Sequence, residues 1–170
     1  MKKIFVYKLD TLGIDKKNEN KKNADIKIWK PSIKNIIPPN SSIKYLMFWF
    51  RKFIPFVSTV DIISYGIYKN DNPICSLVCV PALKRWSFMK RDDLQIKNMY
   101  THEDYRGKGY ANHLLNFVVR KEGNKNRSFW YMTDDKNIPS QKLCNKIGFK
   151  YVGEYVRTKN GMLFKRGKII

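Results

Sequence analysis

Histidine is nearly absent from this chain: only His102 and His113 occur in 170 residues. With so few imidazoles a zinc centre is not expected, and no metal is assigned to the site. Cysteine is scarce too. Cys75, Cys79 and Cys144 form an odd set with no C-x-x-C pair, which excludes a disulfide framework. Cys75 and Cys79 are four apart in an apolar run, so a strand would point both to one face. They read as small buried hydrophobes in a reducing, cytoplasmic compartment. Acid is the third shortage. Fourteen Asp and Glu stand against 34 Lys and Arg, a net charge of +20. A polycationic partner would meet few carboxylates, whereas phosphorylated molecules and other polyanions are attracted. A solvated, lysine-rich surface accounts for part of the excess.

Long apolar runs are also missing. The stretch 45–68 is broken by Arg51, Lys52, Pro55 and Asp61, short of the roughly 20 apolar residues that a membrane span needs. Met1-Lys-Lys-Ile runs at once into an alternating pattern, so no signal peptide is expected. No G-x-x-x-x-G-K-[ST] occurs, which removes a Walker-type nucleotide site.

What is present suits one globular domain over 1–170. Lys3 to Leu9 alternates as a first strand, and Asp25 to Trp29 alternates briefly. Thr11 to Ala24 is polar and reads as loop. Pro31, Pro38 and Pro39 hold the following segment irregular. Ser41 and Ser42 then cap an aromatic helix over about 43–53. Val57 to Tyr68 and Ile74 to Val80 are strand-like runs joined by Lys69-Asn70-Asp71-Asn72-Pro73, which has hairpin turn chemistry. Pro81 ends the second run. The segment 83–91, LKRWSFMKR, interleaves basic residues with Trp86 and Phe88. That pattern suits either a packed hairpin extension or anion binding by charge and stacking.

Leu94 to Tyr100 reads as the next strand. A helix follows over about 108–122, with Ala111, Leu114, Leu115 and Val118 on its apolar face. Ser128 to Thr133 is a strand, Asn137 to Ile147 a second helix ended by Gly148, and 150–157 with 162–168 a final hairpin about Lys159-Asn160-Gly161. The order β, irregular or helical, β-β-β, α, β, α, β-β defines an α+β mixed sheet with one helix crossing between neighbouring strands.

The chemistry concentrates in Met99 to Leu115, MYTHEDYRGKGYANHLL. A strand leads through Arg106-Gly107-Lys108-Gly109 into the helix opened by Tyr110 and Ala111. A helix start offers unpaired N–H groups and the positive end of the helix dipole. Glycines let that backbone approach a phosphate-like anion.

Two segments resemble the GCN5-related N-acetyltransferase (GNAT) superfamily. Arg106-Gly107-Lys108-Gly109-Tyr110-Ala111 fits the Q/R-x-x-G-x-G/A pyrophosphate loop. Asn137 to Phe149, NIPSQKLCNKIGF, resembles the family's N-x-x-[AS]-x-x-[LF]-Y-x-x-x-G-F segment. The resemblance covers roughly 62–168 and leaves 1–60 as a variable, acceptor-side region. It implies a mostly antiparallel sheet splayed at an acyl-CoA cleft and flanked by helices. It also implies acetyl-CoA, or another acyl-CoA, as cosubstrate. In that family the main chain of Arg106, Gly107, Lys108, Gly109, Tyr110 and Ala111 would hold the pyrophosphate. Met99, Tyr100 and Thr101 would line the pantetheine, with Asn137 reaching the same arm. The N–H of Met99 would polarise the thioester carbonyl.

The chain departs from the family pattern at the proton-handling positions. The usual tyrosine acid is Cys144, which reads either as a thiol acid or as packing. The usual base positions fall at Gln95 and Lys97, and neither is an obvious base. A water chain on Asn98, Tyr100, Thr133 or Asp134 is the other option. The expected reaction is direct acyl transfer to a primary amine of a small molecule, with an anionic acceptor such as a nucleotide-linked amino sugar favoured. Two rivals are acetylation of a protein N-terminus or lysine, as on a ribosomal protein, and non-catalytic nucleic-acid binding on the same fold. The expected assembly is a monomer or homodimer.

Overall fold

The computed structural model of the chain describes residues 3–11, 26–30, 62–70, 72–81, 86–123, 127–156 and 168–170. Its strands are β1 (Ile4–Asp10), β2 (Ile26–Trp29), β3 (Ile63–Lys69), β4 (Asn72–Pro81), β5 (Leu94–Thr101), β6 (Ser128–Asp134), β7 (Lys150–Val156) and β8 (Lys168–Ile169). The helices are α1 (Tyr110–Glu122) and α2 (Ile138–Ile147). All eight strands form one sheet in the order β2-β3-β4-β5-β6-β1-β7-β8. Only β5 and β6 run parallel; the other neighbours are antiparallel. A parallel pair needs a crossover, and α1 supplies it. The α+β mixed sheet expected from the element order, and the mostly antiparallel pairing that the resemblance implies, are present.

Period-two alternation sorts the side chains onto two faces. Ile63, Tyr65 and Ile67 of β3, Cys75, Leu77 and Cys79 of β4, Leu94 and Ile96 of β5, and Phe129 and Tyr131 of β6 pack on the helix face. Leu114, Leu115, Val118 and Val119 of α1 cover them. Each recurs at helical spacing, so one stripe of α1 is apolar and the rest is wet. Leu114 and Leu115 are fully buried, and truncating either to alanine should cost about 2–5 kcal/mol. The other face carries a smaller cluster of Val6, Met89 and Trp130, with Trp86, Phe88, Met132 and Tyr155 against it.

Cys75 and Cys79 share the helix face, as their spacing predicted. Trp86 and Phe88 cover the opposite face: Trp86 meets Tyr155 edge-on at 5.0 Å and Phe88 lies 5.1 Å from Trp130. The aromatic half of the 83–91 segment therefore serves packing. Pro81 is the last residue of β4 rather than the residue beyond it. α1 starts at Tyr110 instead of Lys108, because Gly109 caps it in the left-handed region.

The helix expected over 43–53, the prolines of 31–39 and the turn at 159–161 lie outside the described residues. β1 takes an unexpected place. It lies between β6 and β7, with Ile4 opposite both Asp134 and Tyr155. The N-terminal strand thus completes the C-terminal half of the sheet. At its far end Ser128 Oγ donates to Asp10 Oδ1 at 2.6 Å.

Candidate functional site

Two adjoining irregularities in β5 make the site. The parallel pairing with β6 runs through Leu94↔Phe129, Gln95↔Trp130 and Ile96↔Tyr131, then stops. On the other side of β5 the register against β4 shifts between Ser76 and Val78: Ser76 faces Tyr100, while Val78 faces Lys97. Asn98 and Met99 therefore stand together opposite Leu77, a β-bulge. Asn98 adopts φ 51°, the left-handed region that asparagine tolerates better than most residues.

The bulge has two consequences. It bends β5 away from β6, so the strands part just where the pairing ends. It also resets which face each side chain occupies. Before it, Leu94 and Ile96 face the helices; after it, Met99 does, and Thr101 reaches Cys75 on that face with Oγ1 and Sγ 3.4 Å apart. Tyr100 is turned to the opposite face and is exposed.

Beyond β5 a short 3-10 turn, Glu103–Tyr105, leads into the glycine turn. His102 N donates to Ile74 O at 2.9 Å and Arg106 Nε to Thr101 O at 3.2 Å, anchoring the turn to the strand ends. Gly107 and Gly109 have φ of 74° and 84°. A Cβ built at either would meet no atom of the described residues within 4 Å, so both face open space among them. The first bond into α1 is His113 N to Gly109 O. Among the described residues no side chain caps α1, and no acidic residue occupies its first turn. Its leading N–H groups are directed at this space with the dipole behind them.

Asn137 precedes α2 on the other side of the gap. Its Oδ1 accepts from Ser140 N at 3.2 Å, and its own N–H donates to Asp134 O at 3.0 Å. Met99, Tyr100, Thr101, the 106–111 turn and Asn137 thus all border the region where β5 and β6 separate.

Residues 31–149 match the family model for the GNAT acetyltransferases. The chain belongs to the GNAT acetyltransferase family. The GNAT fold is repeated in solved structures, at identities that speak for the fold alone. An acetyltransferase of the GNAT family from Colwellia psychrerythraea gives a TM-score of 0.56 at 12% identity, over 89% of this chain and 53% of that one. A predicted acetyltransferase with acetyl-CoA from Clostridium acetobutylicum gives 0.50 at 19%, over 79% and 96%. The aminoglycoside 6'-N-acetyltransferase AAC(6')-IG from Acinetobacter haemolyticus gives 0.54 at 14%, over 80% and 99%. Against the longer neighbours the GNAT chain spans only 59% and 53% of their length. No curated protein matches the sequence.

The proton-handling positions of this GNAT domain are occupied in specific ways. Gln95 is buried on the face opposite the helices. Its Oε1 accepts from Trp86 Nε1 at 3.0 Å and its Nε2 contacts Met132 Sδ at 3.2 Å. Both ends of the amide are engaged, and an amide does not take up a proton near neutrality. Cys144 is 0% exposed within the helix-face core, and burial pushes its thiol up to about 12. Of the two readings of Cys144, its surroundings are those of packing: the thiol holds its proton and has no exposed surface from which to deliver it. Thr133 is buried as well. Asp134 stands at the parting with Oδ1 accepting from Lys136 N at 3.0 Å.

Sequence reasoning missed Asp93. Its carboxylate is 2% exposed and accepts from Lys90 N at 2.8 Å, Ser128 N at 3.0 Å and Trp130 Nε1 at 2.8 Å. It clamps the start of β5 to the start of β6. The doublet Asp92-Asp93 in a basic stretch gives no cue to this beyond turn chemistry. Among the described residues no group of three or more His, Cys, Asp and Glu side chains could hold a metal, and no helix is long and apolar enough to cross a membrane.

Proposed function

We propose that this chain transfers an acetyl group from acetyl-CoA to the primary amine of a small molecule. The observation that carries this is the alignment of the β5 bulge with the glycine turn. A pantetheine arm laid in the gap between β5 and β6 would run from the bulge to the bare N-terminus of α1. Main-chain N–H groups from Arg106 to Ala111 would bind the pyrophosphate, with Lys108 adding charge. Met99, Tyr100 and Thr101 offer strand edge to the arm. Asn137 caps α2 with Oδ1, so Nδ2 is the half of its amide assigned to the pantetheine.

The bulge leaves Met99 out of register with β4, and its N–H is the donor we assign to the thioester oxygen. Such a donor is fixed in place before reaction and strengthens as the oxygen gains charge. The amine attacks in its neutral form, and its proton passes to water at the open mouth between Tyr100 and Asp134. Gln95 holds Trp86 in place rather than acting as base. No acid role is given to Cys144; the thiolate leaves to solvent.

The acceptor is anionic in this reading, for instance a nucleotide-linked amino sugar. Net charge of +20 opposes a polycation, and Lys90, Arg91 and Lys97 lie close in sequence to Trp86 and Gln95. Thermal shift with acetyl-CoA, followed by thiol release over a panel of nucleotide sugars, simple amines and aminoglycosides, tests both parts. No shift at saturating acetyl-CoA would remove the enzyme reading. Preference for an aminoglycoside would remove the anionic acceptor alone.

A further inference from the structure

Four residues stand in one line across the sheet. Lys27 of β2 pairs with Gly66 of β3, Gly66 with Ser76 of β4, and Ser76 with Tyr100 of β5. Residues directly opposite one another share a face. All four therefore belong to the face away from α1, on which Tyr100 is exposed. The line ends at Tyr100, beside the gap between β5 and β6. Gly66 contributes no side chain, and the ring of Tyr68 fills its place: a Cβ built at Gly66 would lie 2.7 Å from Tyr68 Cε2. Lys27 Nζ stands 5.1 Å from the centroid of that ring. The ring thus steadies an exposed lysine by the attraction of a cation for an aromatic face.

This face differs on the two sides of the gap. Toward β6 and β1 it is filled by Trp130, with Phe88 and Trp86 packed against its cluster. Toward β2 it carries Tyr100, the Ser76 hydroxyl, the Tyr68 ring and the Lys27 ammonium. The next row along the same strands is Trp29, Ser64, Val78 and Lys97. Neither row contains a carboxylate, and each contains one lysine. A molecule that reaches the gap from this face and extends toward β2 meets hydroxyl groups first and positive charge at the far end.

We propose that the amine acceptor lies along the row from Tyr100 through Ser76 to Tyr68, with an anionic group held by Lys27. This rests on the thioester of an acyl-CoA standing in the gap beside Met99. Neighbouring strands are about 4.8 Å apart, which puts Lys27 Nζ two to three spacings from β5, about 10–14 Å. The acceptor class is narrowed accordingly. It is an elongated molecule whose amine and negative charge are separated by about that distance, with polar groups between them. A compact molecule with amine and anion on neighbouring carbons is too short to span the row.

Oligoglycine is the ruler, because an extended chain advances about 3.3–3.6 Å per residue. CoA is joined through an acetyl bridge to one, two, three or four glycines, each analogue being made as the free acid and as the amide. The donor half fixes one end, and the carboxylate probes the other. Titration calorimetry is run on the full chain, on Lys27→Ala and on Lys27→Arg. At three or four glycines the wild type should bind the acid about tenfold more tightly than the amide, and at one glycine within about twofold. Lys27→Ala should shrink the ratio at three glycines to about threefold or less while leaving acetyl-CoA affinity unchanged, and Lys27→Arg should largely keep the ratio. A ratio equal at all lengths, a ratio largest at one glycine (the pattern expected of Lys97), or an unchanged ratio in Lys27→Ala overturns the acceptor row and leaves the donor site standing. Binding of neither acetyl-CoA nor any analogue by the wild type overturns both.

Discussion

Asp93 Oδ2 accepts the indole N–H of Trp130 at 2.8 Å, joining the entry of β5 to the third residue of β6's buried run. The same carboxylate takes Lys90 N and Ser128 N. Asp93→Ala strands three N–H donors, two of them buried with Ser128 and Trp130. We expect a loss of about 2–4 kcal/mol in urea unfolding. A loss under about 1 kcal/mol would mean that the clamp is dispensable. Because the strands part only beyond this point, Asp93 also sets where the gap begins.

Asn98 carries the bulge at positive φ. Asn98→Gly should keep the backbone and bind acetyl-CoA as the parent does. Asn98→Val forces a β-branched residue into the left-handed region, at about 1–2 kcal/mol. It should weaken acetyl-CoA binding at least tenfold, if relaxing the bulge re-pairs β5 with β6. Equal binding by both variants would separate the bulge from the donor site.

Gly109→Ala should lose about 1–2 kcal/mol through backbone strain alone, since its Cβ meets open space. In the same variant the thermal shift with acetyl-CoA should disappear, because that space is where the ligand is expected. A variant that is strained yet still shifts fully would place the ligand elsewhere.

Cys144→Ala should unfold more easily by on the order of 1 kcal/mol, as a small buried side chain does. Its turnover should stay within about twofold, and the alkaline limb of its pH–rate profile should not move. A folded Cys144→Ala protein with more than about tenfold loss of turnover would return the acid role to the thiol.

Asp10 provides the pH prediction. Lys8 Nζ at 2.8 Å, and then the Ser128 hydroxyl at 2.6 Å, hold its carboxyl below the usual carboxylate range. The folded pKa is lower than the unfolded one, so the increment is present above the unfolded value near 4 and lost as pH falls through the folded value. Asp10→Asn should therefore be less stable than the parent at pH 6, with the deficit fading in acid. The side chain is 57% exposed, which limits the effect to about 0.5 kcal/mol. A deficit that grows below pH 4 would contradict the assignment.

The glycine turn and both helix stretches were legible because local chemistry marks them: glycines where φ is positive, a stripe of Leu and Val, and Asn137 followed by proline within α2. The bulge was not, since Lys97-Asn98-Met99 contains no glycine and asparagine is common in this chain. The family resemblance announced a splayed sheet but not the residue at which it bends. Asp93 was hidden because its donors come from Lys90, Ser128 and Trp130, two of them distant in sequence. Cys144 left two readings open until its depth was known, since a helix position does not reveal how far the partner sheet rises around it. The place of β1 was illegible for the same reason: alternation announces a strand but not its neighbours.

That placement of β1 governs how the molecule comes together. Asp10 meets Ser128 across 118 residues and Lys3 meets Glu154 across 151. Both edges that β1 will join are open until it arrives, and its partners among the described residues, β6 and β7, are both distant in sequence. Loop closure over such distances is slow, and open strand edges invite pairing between molecules. Refolding at high concentration should therefore be limited by the insertion of a seven-residue strand, and a synthetic peptide of that sequence, added in excess, should compete for the slot between β6 and β7.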